Sequence, residues 1–524
     1  MTINRRNFLT ISGSAILGSV IAYYSINKYR QSSLNLPFEI EVIDHPKTSH
    51  LMRQKNFHQN IPIQSTLKTK TLIIGSGIAG LSAAENLNDR DFIICDSLNR
   101  IGGSAASYTL DSFHFPTGAH YIPEYPTSFD NDVLTFLKKK KIIDKVAKNG
   151  KYEFTNKQYY IDNQKMQLAQ YNKQYYTESE VPFHPDDEQA LYQIFDQFFG
   201  EMQLPSRNIQ KKHHHLSKIS FKEFLDGYSL NVKSQTRDLI NYRMRDDYGH
   251  TYDKVCAIAG LTHYAGRPLI DNMSYSTFSA PQGNGFFARK IAHDINNDQY
   301  KLGHTVINIT DTAKDNYYET LLINSENRIL KVVSENIIYA ANKHTLKYVY
   351  PKYEDLYKNS VYSPWVVIGF LVSMSNSDLH WQNEIVDAED ELMGFAIEKA
   401  ENEKGFSDHL TTISVYYNFP PESRSDLLQI IDNPNYMINK TIEHIEQHIQ
   451  KNIKNKIQKC FLKAHGHGMA ICQPNFLFND RNDTIQNKTF AFAGCDNGRL
   501  PLFFEAVDSG LVAARIINQE ARSL

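Results

Sequence analysis

The sequence predicts an α/β protein in which a nucleotide-binding domain, discontinuous along the chain, carries an inserted α+β domain. Two stretches support this prediction: a strand–glycine turn–helix–strand pattern over residues 70–96, and a strand–turn–helix pattern over residues 490–514. Between them, residues 122–278 change to amphipathic helices and polar loops without a second glycine fingerprint. We therefore expect the two ends of the chain to share one domain.

The first stretch contains the parts of a dinucleotide-binding βαβ unit. Apolar residues 70–74 predict a buried parallel strand, and Gly75, Gly77 and Gly80 follow it with G-x-G-x-x-G spacing. In such units the first glycine permits the tight turn and the second lets the backbone approach a pyrophosphate. The third glycine allows the helix and the strand to pack closely.

A second predicted strand, residues 92–95, leads into Asp96 and Ser97. Asp96 stands nineteen residues after the second glycine, where an acid accepts hydrogen bonds from the adenosine ribose hydroxyls. The helix begins at Ile78 and Ala79, and its unpaired amide groups offer a positive dipole end to phosphates. This combination predicts a dinucleotide site.

Arg100, Gly102 and Gly103 follow the second strand and resemble the R-x-G-G extension of the FAD-dependent amine oxidase superfamily. That superfamily also holds protoporphyrinogen oxidases and phytoene desaturase-like enzymes. The resemblance implies a discontinuous Rossmann-like FAD-binding domain with an inserted α+β substrate domain. It also implies that FAD is the cofactor and that these three residues contact it.

Further segments resemble the same superfamily. Gly118, Ala119 and His120 match a G-[AG]-x segment, which the resemblance places beside the flavin ring. Residues 281–286 are similar to the P-x-G-G-x-x element, with asparagine in place of its second glycine. Val306, on the strand that follows, is expected to place its backbone against the adenine.

The C-terminal stretch is similar to the superfamily's last signature. Gly494 and Asp496 match an A-G-x-[DE] motif, which the resemblance places at the ribityl chain and pyrophosphate. The next helix would aim the amide groups of Phe504, Glu505 and Ala506 at flavin N1 and O2, where negative charge builds on reduction. Glu505 occupies a position where glycine is commoner.

Composition excludes some classes of partner and site. The 524 residues include 56 Lys and Arg against 58 Asp and Glu, so the net charge of −2 does not indicate a nucleic-acid partner. The five cysteines show neither C-x-x-C spacing nor a disulfide framework, and no metal site is predicted. Cys472 is interpreted as a buried thiol rather than a flavin tether.

The N-terminus is predicted to lie outside the fold. Arg5 and Arg6, followed by a mildly apolar segment, resemble a twin-arginine export signal. Because no clean cleavage site follows, residues 1–30 are interpreted as a signal or membrane anchor, and residues 31–69 as a linker. We expect export to the periplasm or cell envelope; the alternative is an unprocessed N-terminus on a cytosolic protein.

These patterns divide the chain into two domains. The FAD-binding domain is predicted to combine residues 70–121, 281–345 and 461–524. The substrate domain is predicted to combine residues 122–280 and 346–460.

Within and beside the substrate domain, three features bear on chemistry. His120 is the candidate catalytic residue, although a lone histidine is more often a packing residue. Residues 241–249 combine charges and aromatics, which indicates either a cavity wall or a buried salt-bridge network. The apolar strand 364–373 lacks the lysine that holds a water near flavin N5 in many amine oxidases.

Two histidine-containing segments are interpreted as surface features. Residues 211–215 are predicted to form a solvated basic loop. Residues 441–460 place isoleucines at 3-4-4-4 spacing and predict one amphipathic helix, with His444 and His448 on its solvent face.

The resemblance implies oxidation of a small-molecule substrate by hydride transfer to flavin N5, with oxygen or a membrane quinone as the electron acceptor. C–N oxidation of an amine is the first expectation. C–C desaturation or ring oxidation of an apolar substrate is the second, and the missing lysine would suit it. The third alternative is a flavin electron carrier without catalytic activity.

Overall fold

The computed structural model describes residues 36–45, 47–54, 57–123, 131–146, 152–162, 167–177, 180–266, 276–312, 317–376, 379–398, 409–485 and 488–519. The twin-arginine segment lies outside these residues. Within the described ranges, none of the helices combines the length and the apolar character needed to cross a bilayer.

Twenty-two strands and eleven α-helices form the described part of the chain. The strands are β1 (Ile40–Val42), β2 (Ile63–Ile74), β3 (Phe92–Cys95), β4 (Ser107–Leu110), β5 (Phe113–Pro116), β6 (Ile122–Pro123), β7 (Ile143–Val146), β8 (Tyr152–Phe154), β9 (Tyr160–Asp162), β10 (Gln167–Tyr171), β11 (Gln174–Thr177), β12 (Ser276–Phe278), β13 (Tyr300–Lys301), β14 (Thr305–Thr312), β15 (Tyr317–Ile323), β16 (Ile329–Tyr339), β17 (Tyr362–Val372), β18 (Gln382–Ile385), β19 (Leu392–Glu398), β20 (Thr411–Asn418), β21 (Ile457–Ala470) and β22 (Phe490–Phe492). The helices are α1 (Ile78–Asn86), α2 (Asn131–Lys139), α3 (Pro185–Asp196), α4 (Phe221–Asp226), α5 (Ser234–Tyr248), α6 (Ala257–Tyr264), α7 (Gly285–Ala292), α8 (Leu346–Val349), α9 (Asp426–Asp432), α10 (Asn435–Ile449) and α11 (Phe503–Ile517).

A seven-stranded sheet carries the predicted nucleotide-binding unit, in the order β13-β3-β2-β16-β15-β14 with β22 beside β16. Strands β13, β3, β2, β16 and β22 are parallel, whereas β15 pairs antiparallel with its two neighbours. Strands β15 and β16 form a hairpin around residues 324–327. Its second strand continues without interruption to Tyr339, because β2 pairs along nearly its whole length.

The second large sheet has eight strands, in the order β1-β21-β17-β20-β19-β18-β10-β11. Side chains along β17 alternate between its faces: Val366, Ile368 and Phe370 pack in a core with residues of α9 and α10. Trp365 and Val367 face the other way and line the central cavity. Helices therefore cover one face of this sheet, and the cavity lies along the other.

The predicted domain boundaries need three corrections. The described part of the linker includes β1, which adds a parallel edge strand beside β21. It also includes the first seven residues of β2, residues 63–69, which run along β16. The segment from Leu346 to Tyr357 packs in the core of the seven-stranded sheet rather than in the substrate domain. Strand β21 belongs to the eight-stranded sheet as far as Ala470, so the last nucleotide-binding segment begins after it.

The predicted helix over residues 441–460 ends at Ile449, where Gln450 adopts a left-handed φ of 54°. Ile453 and Ile457 continue the apolar spacing because they fill the same core from a loop and from β21. The surface assignment of His448 is wrong, since its side chain is buried and burial lowers its pKa to about 4. The predicted basic loop forms a 3₁₀ helix, Lys211–Lys218, in which His213 faces Glu201.

Candidate active site

The glycine-rich turn is held by backbone packing that leaves no room for side chains. Gly75 has a φ of 106°, and a Cβ on it would lie 2.8 Å from the backbone nitrogen of Ala341. On Gly80, a Cβ would lie 2.0 Å from the Gly75 carbonyl oxygen, so α1 packs directly on the turn. A Cβ on Gly77 would meet nothing closer than 3.8 Å, and this position opens onto the cavity. The roles predicted for the three glycines fit this packing.

Asp96 closes the other side of this cradle. One carboxylate oxygen accepts hydrogen bonds from the backbone nitrogen and the hydroxyl of Ser76, both at 2.8 Å, and the other accepts from the Leu98 nitrogen at 2.9 Å. These bonds fix the orientation of the carboxylate in the cavity wall. Burial raises the pKa of Asp96 above its ordinary value.

One cavity of about 1620 Å³ extends from this cradle to the face of the eight-stranded sheet. Its volume exceeds the roughly 300–1,000 Å³ of a typical single-ligand pocket, so it offers room for a dinucleotide and a substrate together. Most of the predicted site residues line it: Gly75, Gly77, Ile78, Ala79, Asp96, Ser97, Gly102, Gly103, Gly118, Ala119, His120, Val306, Gly494, Asp496, Phe504 and Ala506. Gly80, Arg100 and Glu505 do not.

The Arg100 side chain does not line the cavity, although that of its partner Asp44 does. Its guanidinium forms an ion pair with Asp44 and lies 5.1 Å from the centre of the Tyr108 ring. Asp44 also accepts a hydrogen bond from Lys463 Nζ at 2.8 Å. The cation that the sequence predicts as a cofactor contact is therefore neutralised by a residue of the N-terminal segment.

Glu505 also points elsewhere. It is fully buried and accepts a hydrogen bond from the Ser206 nitrogen at 2.6 Å, with Arg499 at 3.6 Å. Arg499 in turn pairs with Asp508 at 2.6 Å. Burial raises the pKa of Glu505. This carboxylate thus belongs to a buried ionic cluster beneath α11, not to the cavity.

Asp496 lines the cavity in a network that the sequence does not indicate. Its carboxylate accepts hydrogen bonds from the backbone nitrogen of Lys343 at 2.8 Å, from Lys343 Nζ at 2.7 Å and from the Tyr362 hydroxyl at 2.8 Å. Lys343 is itself fully buried. Neither partner stands in a recognisable motif, so only the folded chain brings them to the Gly494 turn.

His120 lies in the part of the cavity on the substrate side, which we call the chamber. Its lining includes His120, Asp246, Asp247, Trp381, Glu384 and Tyr416. His120 Nε2 is 2.5 Å from Glu398 Oε1, and its Nδ1 is 2.6 Å from the Tyr416 hydroxyl. The Trp381 ring meets it edge-on, with centroids 5.4 Å apart. All four side chains are enclosed, and burial raises the pKa of Tyr416 well above its ordinary value. His120 is thus fixed in orientation by two polar partners.

The sequence indicates either a cavity wall or a buried salt-bridge network at residues 241–249, and α5 provides both. Arg243 forms a buried bidentate pair with Glu384, at 2.6 and 2.9 Å. Asp246 and Asp247 line the cavity, and His263 Nδ1 lies 2.6 Å from the Asp247 carboxylate. The Tyr121 hydroxyl donates a hydrogen bond to Asp246 at 3.2 Å. Burial and the neighbouring carboxylate of Asp247 raise the pKa of Asp246 to about 7.

The strand β17 carries no lysine, as its sequence shows, but the adjacent strand does. Lys463 on β21 pairs in register with Val367, and both residues line the cavity. Its ammonium group is buried, bonds to Asp44, and lies 3.2 Å from the Thr117 hydroxyl. Burial lowers the pKa of Lys463. Two positions along, His465 Nε2 donates to the Thr117 carbonyl at 2.6 Å.

Comparison with known proteins finds one family model and one relative that match parts of the chain. Residues 73–139 match the family model of the NAD(P)-binding Rossmann-like domain. A corticosteroid-binding protein of Candida albicans is 24% identical over 267 residues, which are 48% of this chain. The chain spans about half the length of that relative, 47%.

Solved structures match nearly the whole fold at low identity. A double mutant of putrescine oxidase has a TM-score of 0.62 and 13% identity, over 86% of this chain and 99% of its own. Cyclohexylamine oxidase from Brevibacterium oxydans has a TM-score of 0.58 and 13% identity over the same shares. A protein from Exiguobacterium described as a protoporphyrinogen oxidase has a TM-score of 0.57 and 12% identity, over 88% and 100%. The chain has the α/β fold of the FAD-dependent amine oxidases, as its sequence predicts.

Proposed function

We propose that this protein is an FAD-dependent oxidoreductase that oxidises the C–N bond of a small amine. The observation that carries the proposal is a single cavity that joins a dinucleotide cradle to a buried chamber of carboxylates and aromatic rings. The cradle suits FAD, because Gly77 leaves the helix N-terminus open and Asp96 presents an oriented carboxylate. When bound, FAD would supply the two-electron acceptor that such an oxidation requires.

The charges of the chamber favour a cationic substrate. Three of its carboxylates face a basic side chain: Glu398 faces His120, Glu384 faces Arg243, and Asp247 faces His263. Among the described residues, none of the basic groups lies within ion-pair distance of Asp246. An ammonium group would supply the missing charge, and the rings of Trp381 and Tyr416 would favour a cation electrostatically.

Asp246 would also accept the proton that the substrate's ammonium group loses. An amine must lose its ammonium proton before its C–H bond can give up a hydride, and the pKa of about 7 suits a group that accepts this proton near neutrality. Both ring nitrogens of His120 are already engaged by Glu398 and Tyr416. We therefore assign proton acceptance to Asp246 and propose that His120 orders the chamber beside the predicted flavin position.

An anaerobic absorbance titration tests this function. The purified protein is titrated with monoamines, diamines and amino acids, and the flavin band near about 450 nm is followed. Bleaching by one class is expected, and Asp246→Asn should weaken it about tenfold or more. Asp298→Asn, an exposed carboxylate away from the cavity, is the matched control. A flavin band that no amine bleaches would refute amine oxidation.

The same titration separates the other candidate reactions. Because the chain shares its fold with a protein described as a protoporphyrinogen oxidase, bleaching by a reduced ring substrate would indicate ring oxidation. Bleaching only by another electron-transfer protein would indicate a carrier. We propose oxygen or a quinone as the acceptor, distinguished by following reoxidation with each. The proposal of twin-arginine export is tested by fusing residues 1–30 to a reporter.

A further inference from the structure

Three cations line the cavity without an acidic partner. Arg53, Lys347 and Arg424 all belong to its wall. Within the described ranges, none of them has a carboxylate at ion-pair distance. Arg53 and Lys347 instead lie 5.9 and 4.9 Å from the centre of the same ring, that of Tyr348. Arg424 donates to two backbone carbonyls, those of Gly466 at 2.7 Å and of Tyr362 at 2.8 Å.

The other described lysines that line the cavity each face a carboxylate, and Lys463 shares Asp44 with Arg100. Arg100 faces Asp44, and Lys343 faces Asp496. Lys358, which also lines the cavity, lies 3.2 Å from Asp355. Uncompensated positive charges that share a concave surface create a potential that attracts an anion. We call Arg53, Lys347 and Arg424 the cation cluster.

The cation cluster is close enough to influence its neighbours electrostatically. Two imidazoles, His344 and His467, stack beside it with ring centroids 3.6 Å apart. Burial, with a contribution from all three cations, lowers the pKa of His344 to about 4 and that of His467 to about 2. Both rings are therefore neutral near pH 7 and add no charge of their own to the cluster.

The position of the cluster connects it with the dinucleotide cradle. Lys347 lies on α8, which begins at Leu346, five residues after Ala341, the residue whose backbone packs against Gly75. Arg53 ends the 3₁₀ helix Lys47–Arg53, whose Thr48 hydroxyl lies 2.9 Å from that of Thr305, next to Val306. Lys347 thus comes from the segment beside the glycine turn, and Arg53 from the segment beside the predicted adenine site.

We propose that the cation cluster binds the diphosphate of the dinucleotide. The inference rests on the proposed function in one respect, that the bound ligand is FAD. It adds the N-terminal segment, through Arg53, to the cofactor site. The diphosphate carries the negative charge that this part of the wall lacks, and charge-assisted hydrogen bonds to it are the strong kind.

The test compares ligands that differ by the diphosphate alone. The full-length protein, freed of flavin, is titrated with FAD, ADP and adenosine, as wild type and as the double variant Arg53→Gln/Lys347→Gln. Arg53 and Lys347 are both exposed residues, so we expect the double variant to fold. We expect FAD and ADP to bind about tenfold more weakly per cation removed, with adenosine unchanged. The salt dependence of ADP binding should also become shallower.

Lys358→Gln is the matched control, since it removes a cavity cation that has its own carboxylate. Equal affinity of the double variant and wild type for FAD and ADP would overturn the proposal, even where amines still reduce the flavin. A changed KM for an anionic substrate or acceptor, with unchanged FAD affinity, would overturn it too. Weaker FAD binding in a protein that no amine reduces would support the cluster and refute amine oxidation alone.

Discussion

Asp246 gives the protein a pH-dependent stability that its amide variant should lack. In the folded chain its pKa is raised from 3.8 to about 7, by burial first and by the Asp247 carboxylate second. Between pH 5 and pH 7 the folded state therefore holds a proton that the unfolded state has already lost. Stability falls over this interval because the unfolded state binds fewer protons, and it stops falling above the folded pKa.

The expected magnitude follows from the width of that interval. About two pH units at roughly 1.4 kcal/mol per unit give about 3 kcal/mol, lost by the wild type between pH 5 and pH 8. Asp246→Asn removes the titration. The difference in unfolding free energy, variant minus wild type, should therefore rise by about 3 kcal/mol over the same range, in the variant's favour.

Urea unfolding of the flavin-free protein at pH 5 and pH 8 measures this difference. Asp298→Asn serves as the control, because an exposed carboxylate should leave the difference constant. A change smaller than about 1 kcal/mol for Asp246→Asn would refute the reasoning. It would mean that Asp246 is ionised throughout, with a cation nearby, and the argument for a cationic substrate would fail with it.

Three further changes test other parts of the site. Gly80→Ala places a Cβ 2.0 Å from the Gly75 carbonyl oxygen. It should therefore destabilise the protein by about 1–3 kcal/mol or more and weaken FAD binding. Thermal unfolding with and without FAD measures both effects. Glu398→Gln keeps the shape but changes the hydrogen-bond partner that holds His120 in orientation. The rate of flavin reduction by an amine should fall about tenfold or more, and an unchanged rate would contradict this. Lys463→Met leaves the Asp44 carboxylate with one cation, Arg100, in place of two. The free energy of unfolding, measured with urea, should fall by about 3 kcal/mol.

The nucleotide end of the site could be predicted because its determinants are local. The glycine turn, α1 and Asp96 lie within 22 consecutive residues. The packing that requires Gly80 acts inside this unit, against Gly75, whereas Gly75 itself packs against Ala341 just beyond the end of β16. The C-terminal turn at Gly494 was predictable for the same reason. In each case a short motif fixes the backbone, and the backbone fixes the site.

The side chains of Arg100 and Glu505 do not line the cavity, for a reason that is not local. The contact predicted for Glu505 is that of its backbone amide, so the direction of its side chain leaves that prediction open. Arg100 is neutralised by Asp44, which belongs to a segment interpreted as a linker, and Glu505 is engaged by Ser206 and Arg499. Asp44 and Ser206 lie in segments that no local pattern connects with the motifs, and Arg499 stands between the Gly494 turn and α11 without a motif of its own. A side chain's position in a motif fixes where its backbone runs, but the direction of a charged side chain depends on the nearest opposite charge.

The chamber could not be predicted, because its residues come from separate segments. Asp246 lies on α5, Trp381 precedes β18, Glu398 ends β19 and Tyr416 lies on β20. Each belongs to a strand or helix whose apolar pattern is ordinary. Only the order of strands in the eight-stranded sheet brings these side chains to His120.

The missing lysine illustrates how far a single strand's sequence can mislead. Its absence from β17 favours ring oxidation over amine oxidation only where no neighbour can replace it. In a sheet, directly opposed residues on adjacent strands are about 5 Å apart, so Lys463 beside Val367 brings an ammonium group to the same cavity wall. That group is held by Asp44 and Thr117. The lysine on β21 therefore removes the argument from absence, and the charge of Asp246 becomes the feature that discriminates between the two reactions.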